Sequence, residues 1–176
     1  LVSDAKLTLA ALNEALVTVN RPLEASAVER AQEQKFAKFQ VLAQSGDKPI
    51  KPERVVAALS QALDPDAIVV ADAGTPCPYL SAYYQVRTTG RRFFSNRAHG
   101  ALGYSLPAAI GAHFARPQVK CVSVMGDGSF GFTCGELETA ARYRLPITFI
   151  VISNATYGWI KAGQKSGYGQ RYFAVD

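Results

Sequence analysis

No run of apolar residues in this chain reaches the length of a membrane span, and no secretory pattern opens it. Cysteine is scarce. Cys77, Cys121 and Cys134 have neither the even number of a disulfide framework nor the close pairs of a metal site. An odd count without a secretory signal leads us to expect a reducing cytoplasm, with each thiol a small core or site-lining residue. No Gly-Lys-Ser or Gly-Lys-Thr follows the glycines, which excludes a nucleotide P-loop. The formal charge is +5, but the basic residues (Arg87, Arg91, Arg92, Arg97, Lys161, Lys165, Arg171) are scattered rather than gathered on one helix face. We expect no nucleic-acid partner and no membrane partner. An anionic ligand would use some of this charge. No internal repeat or low-complexity tract is present.

What the chain does have is 48% hydrophobic residues, enough for a real core, and one stretch that organises it. Val122-Ser123-Val124-Met125-Gly126-Asp127-Gly128-Ser129 reads as a buried strand that stops at a Gly-Asp-Gly turn and opens into a helix. Ile147 to Ile152 reads as the next strand, ending in the polar loop Ser153-Asn154-Ala155-Thr156-Tyr157-Gly158. In a parallel sheet both loops emerge at the carboxyl edge, where open α/β folds place ligands. Asp127 and Asn154 are then neighbours. A carboxylate and an amide oxygen are hard ligands, of the kind Mg²⁺ takes while sharing itself with phosphates. Gly126 and Gly128 allow close backbone approach, and Ser129 sits at a helix start that suits a phosphate oxygen. A magnesium-bridged diphosphate is the chemistry implied. A phosphoacceptor Asp is the rival reading; it wants further acidic residues at strand ends, and Asp72 is the one in sight.

The remaining segments fit an α/β domain with a parallel sheet and helices on both faces. Leu1 to Val19 reads as a helix with Ser3 as N-cap and Leu9, Leu12 and Leu16 on one face, the end of a preceding domain. Residues 20–49 read as a linker with a solvated helix around 27–43. The main domain is expected over 50–176. Pro52 opens a helix carrying Val55, Val56, Leu59 and Leu63. Ala67 to Ala71 is a continuous apolar strand, as a parallel core strand should be. Phe93 to Asn96 forms a short strand and turn. The helix after Asp127 is expected from about Thr133 to Tyr143. Tyr157 to Tyr172, with four glycines, is expected to be a mobile segment beside the site.

Gly126-Asp127-Gly128-Ser129 followed by Asn154 resembles the thiamine-diphosphate signature of the acetolactate synthase and pyruvate decarboxylase superfamily. Two further stretches match in the right order. One is the Asp72-Ala73-Gly74-Thr75-Pro76-Cys77 turn. The other runs from Gly100-Ala101-Leu102-Gly103 into Leu106-Pro107-Ala108-Ala109-Ile110-Gly111. Ser153 departs from the family's Asn-Asn pair, at a position that is not the ligand. The resemblance covers residues 50 to 176 and implies the diphosphate module of the thiamine-diphosphate-binding fold, incomplete at its carboxyl end. It implies Mg²⁺ on Asp127, Asn154 and the Thr156 carbonyl. It implies cofactor contacts at Gly74, Thr75, Cys77, Gly100, Ala101, Leu102, Gly126, Gly128, Ser129, Tyr157 and Gly158. Within these, the Gly100 carbonyl would meet the aminopyrimidine and Leu102 would hold the cofactor bent, a positioning effect.

The implied activity is acetolactate synthase-like: decarboxylation of a 2-oxo acid followed by carboligation. Benzoylformate-type decarboxylases and 2-hydroxyacyl-CoA or oxalyl-CoA lyases are the alternatives within the superfamily. A non-catalytic scaffold or regulatory domain of the same fold is the alternative outside it. No residue here has the context of the family's activating Glu, so no catalytic residue is assigned. That Glu would come from a pyrimidine-binding domain of the same or another subunit, in a homodimer or homotetramer, and the chain alone is expected to be inactive. FAD is compatible with the resemblance, but nothing in this segment indicates it. His99 is either a satisfied loop histidine or a substrate-facing group, Trp159 and Ile160 are either helix core or substrate-pocket residues, and Asp72 is either a turn residue or a direct cofactor contact.

Overall fold

The structure, a computed structural model, describes residues 3–17 and 25–176. It divides into two compact units, Leu1–Ala37 and Lys38–Asp176. In the first, α1 spans Ala5–Leu16. Its N-cap is Asp4 rather than Ser3, because the Asp4 carboxylate accepts the Leu7 N–H at 3.1 Å. Leu9, Leu12 and Leu16 of this helix are exposed. The expectations for Leu1, Val2 and residues 18–24 lie outside the described residues. Helix α2 spans Ala25–Ala43 and crosses from one unit into the other.

The second unit holds a four-stranded, all-parallel sheet in the order β2-β1-β3-β4: β1 is Ile68–Ala71, β2 Phe93–Ser95, β3 Cys121–Gly126 and β4 Thr148–Ile152. The central strands are β-branched and apolar, and both their faces are covered. Val69, Val70 and Val124 are fully buried, each contributing roughly 1.5–3 kcal/mol by burial. Helix α5 (Ser105–Ala115) packs on Ile68, Val70 and Cys121 of one face. Leu106 and Ile110 of that helix, with Ala140 of α7 (Leu137–Arg142), enclose Met125. The opposite face is covered by α4 (Pro76–Tyr83), against which α3 (Pro52–Ala62) packs. Helices therefore flank both faces of the parallel sheet, as the sequence suggested.

One local expectation needs correction, and two helices add to the sequence reading. Helix α6 begins at Asp127 itself and runs to Thr133; a 3₁₀ turn, Cys134–Glu136, separates it from α7. The expected single helix from Thr133 is thus two, offset at Gly135. Helix α4 was not anticipated, since its eight residues include two prolines and no long periodic face. Within the glycine-rich segment beside the site, Gly158–Gly167 forms α8. Beyond it, the Gln164 side chain pairs both with the Phe173 N–H (2.9 Å) and with its carbonyl (3.0 Å). The Tyr157 N–H and Thr156 hydroxyl both donate to the Val175 carbonyl, and Val175 is buried. Among the described residues no helix is long and apolar enough to cross a membrane.

Candidate functional site

The carboxyl ends of β1, β3 and β4, with the loop after β2, converge on one cavity of about 460 Å³. That size is ordinary for a small-molecule site. Asp127 stands at its centre of charge. One oxygen accepts the Gly128 N–H at 2.8 Å. The other accepts the Ser153 hydroxyl (3.1 Å) and the N–H groups of Asn154 (3.0 Å) and Ala155 (2.7 Å). The carboxylate therefore ties the end of β3 to the loop after β4, as the spacing of the two motifs had suggested. Burial works to raise its pKa, but the donors from Ala155, Gly128, Ser153 and Asn154 outweigh burial and hold it below the ordinary aspartate value. Ser153, the residue that departs from the family pattern, is one of those donors.

Geometry in the loop is tight. Ala155 takes φ = 52°, a left-handed conformation uncommon outside glycine, and in doing so its N–H meets Asp127. The Asn154 amide oxygen accepts the Thr156 N–H at 3.3 Å, and the Thr156 carbonyl accepts the Gly158 N–H at 2.8 Å. A Cβ at Gly128 would stand 2.6 Å from the Tyr157 ring; one at Gly158 would stand 2.9 Å from the Asn154 amide nitrogen and 3.4 Å from the Thr75 hydroxyl. Both glycines are required by contact with other residues of the site.

Of the residues singled out from the sequence, Gly74, Thr75, Cys77, Gly100 and Leu102 line the cavity. So do Gly126, Asp127, Gly128, Ser129, Asn154, Thr156, Tyr157 and Gly158. Ala101 does not; its carbonyl accepts the Asn96 amide at 2.6 Å. His99, Trp159 and Ile160 also reach the wall, and Trp159 and Ile160 are more than half exposed, so neither is helix core.

Asp72 turns out to be a positioning residue. It is fully buried and absent from the cavity wall. One oxygen accepts the Gly103 N–H (3.1 Å), the other the Ser105 N–H (2.6 Å), which fixes the Gly100–Tyr104 turn to the end of β1. Gly103 has φ = 87°, and a Cβ there would meet Phe132 and Thr133 at 2.9 Å. Sequence reasoning missed two wall residues with polar side chains, Asn96 and Arg97. Their signal was the polar turn directly after a predicted strand.

The donors offered at the cavity are one carboxylate, an amide oxygen and backbone carbonyls, which suits a hard divalent cation. Among the described residues no cluster of three His, Cys, Asp or Glu offers a softer site. Residues 72–176 match the family model described as "Thiamine pyrophosphate enzyme, C-terminal TPP binding domain". The chain belongs to the thiamine pyrophosphate enzymes. The matched segment is their C-terminal cofactor-binding domain, and it contains the whole cavity wall. A probable acetolactate synthase large subunit of Methanocaldococcus jannaschii is 31% identical over 181 aligned positions, covering 99% of this chain and 30% of that protein. One of Methanococcus aeolicus is 33% identical over 135 residues, 74% of this chain and 22% of that protein. Benzoylformate decarboxylase of Pseudomonas aeruginosa is 34% identical over 161 residues, 92% of this chain and 28% of that protein. The chain thus spans less than a third of these thiamine pyrophosphate enzyme relatives.

Proposed function

We propose that this chain is the diphosphate- and Mg²⁺-binding module of an enzyme that decarboxylates 2-oxo acids and joins the product to a second carbonyl compound, in the manner of acetolactate synthase. The observation that carries the reading is the Asp127 carboxylate, fixed by four donors at the cavity where two parallel strands end. Asp127, Asn154 and the Thr156 carbonyl would hold the metal. Gly74, Thr75, Cys77, Gly126, Gly128 and Ser129 would hold the diphosphate; Gly100, Leu102, Tyr157 and Gly158 would meet the rest of the cofactor. When bound, thiamine diphosphate supplies a nucleophilic carbon and an electron sink for losing CO₂ from a 2-oxo acid. The chain's own contribution is orientation: the Asp127 latch holds the metal-facing oxygens, and the glycines keep the wall open to the ligand.

Residues 1–19 are read as the end of a preceding domain, 20–49 as a linker and 50–176 as the cofactor-binding domain. The activating Glu would come from a pyrimidine-binding domain of the same or another subunit. A homodimer or homotetramer in the cytoplasm is the setting this reading requires. The benzoylformate decarboxylase relative favours a second reading, in which a proton replaces the second carbonyl compound. Calorimetry tests the cofactor assignment: thiamine diphosphate should bind only with Mg²⁺, and Asp127→Ala should abolish that binding. Binding undiminished by the substitution would sink it. Product analysis with pyruvate or benzoylformate then separates carboligation from simple decarboxylation.

A further inference from the structure

Asp127 and Arg97 are the charged side chains on the cavity wall, one anionic and one cationic. Arg97 follows β2 and leans across to the first turn of α4. One guanidinium N–H donates to the Cys77 sulfur at 3.0 Å, and the same sulfur lies 3.0 Å from the Ser95 hydroxyl. Among the described residues Arg97 forms no ion pair. A guanidinium carries five N–H donors in a planar fork, and one is used here on a weak sulfur acceptor. Such a fork matches the two oxygens of a phosphate or a carboxylate.

The charge balance of the proposed ligand asks for such a group. A diphosphate carries more negative charge than one divalent cation cancels, and Asp127 adds another. Arg97 touches Cys77, which was read above, with Thr75, as reaching the diphosphate. Cys77 thereby acts as a rest for one N–H of a guanidinium that lines the cavity.

We infer that Arg97 is the oxyanion-binding residue of this cavity, held in place by Cys77, and that it takes a phosphate oxygen of the cofactor or the carboxylate of the substrate. The inference rests on the functional reading above, and its test separates the two. Thiamine diphosphate, inorganic diphosphate and oxamate (an unreactive isostere of a 2-oxo acid) are titrated with Mg²⁺ into the intact protein by calorimetry. The wild type is compared with Arg97→Gln and Arg97→Lys; circular dichroism checks each fold, and Arg97→Lys decides if the Gln variant does not fold. Removing a charge-assisted fork should weaken an anionic ligand by roughly tenfold or more, with Lys recovering part of the loss. Loss for both diphosphates assigns Arg97 to the cofactor. Loss for oxamate alone assigns it to the substrate. Unchanged binding of every probe that the wild type takes up overturns the inference, as does a wild type that takes up none. A wild type that binds inorganic diphosphate but not thiamine diphosphate sinks the cofactor reading alone, and Arg97 is then judged on inorganic diphosphate.

Discussion

Asp72 and Asp127 show how little a residue type says about its task. Both follow a parallel strand, and both accept backbone N–H groups, yet one is buried out of reach of any ligand and the other faces the cavity. Asp72→Asn should be costly, because an amide NH₂ would face the Gly103 or Ser105 N–H at a fully buried position. A loss of about 3 kcal/mol in urea unfolding is expected, and a loss below about 1 kcal/mol would show that the turn finds other acceptors. Asp127 behaves differently with pH. Its pKa is depressed on folding, so its stabilisation is complete above the unfolded value of about 3.9 and is lost as pH falls through the lower folded value. The stability gap between wild type and Asp127→Asn should therefore be widest near pH 6 and narrow steadily below pH 4. A gap that ignores pH would mean the carboxylate's charge plays no part in the latch.

At the scale of elements, legibility followed local pattern. Strands β1, β3 and β4 announced themselves as apolar runs rich in Val and Ile, and the Gly-Asp-Gly turn fixed where β3 had to stop. Helix α5 falls on the Leu106-to-Gly111 stretch that carried the family resemblance, with Pro107 tolerated in a first turn that needs no N–H donor there. Helices α4 and α8 were not readable. One is short and proline-rich, and the other owes its order to ties that cross ten or more residues, such as Tyr157 to Val175. Asp72 was unreadable for the same reason, since its partners lie some thirty positions away. Gly111 has no close neighbour within the chain: an added Cβ meets nothing within 4 Å. Gly111→Ala should then raise stability by about 1 kcal/mol, through the lower entropy of the unfolded chain. If the substitution instead weakens subunit association in sedimentation runs, the open space at Gly111 is filled by a second subunit.

For the whole molecule, the wall of the cavity is a property of sheet order rather than of any one segment. Its parts come from the ends of β1, β3 and β4 and from the loop after β2, brought together by parallel pairing with crossovers. Ligand binding and global stability are therefore linked. Thiamine diphosphate with Mg²⁺, at a hundred times its dissociation constant, should add about 2.7 kcal/mol to the unfolding free energy. The Asp127→Ala protein should show no such gain, and equal gains in the two proteins would move the binding site elsewhere.

The latch between Asp127 and the loop after β4 also bears on the order of events during folding. Three strands without β4 would already display the Gly-Asp-Gly turn, but the carboxylate would lack three of its four donors, and Asn154 would be nowhere near it. Pairing of that last strand brings both to the cavity together. On the proposed reading, a chain in which β4 had not paired would offer a metal only part of its ligand set, so edge-strand pairing and competence for the ligand would be gained together.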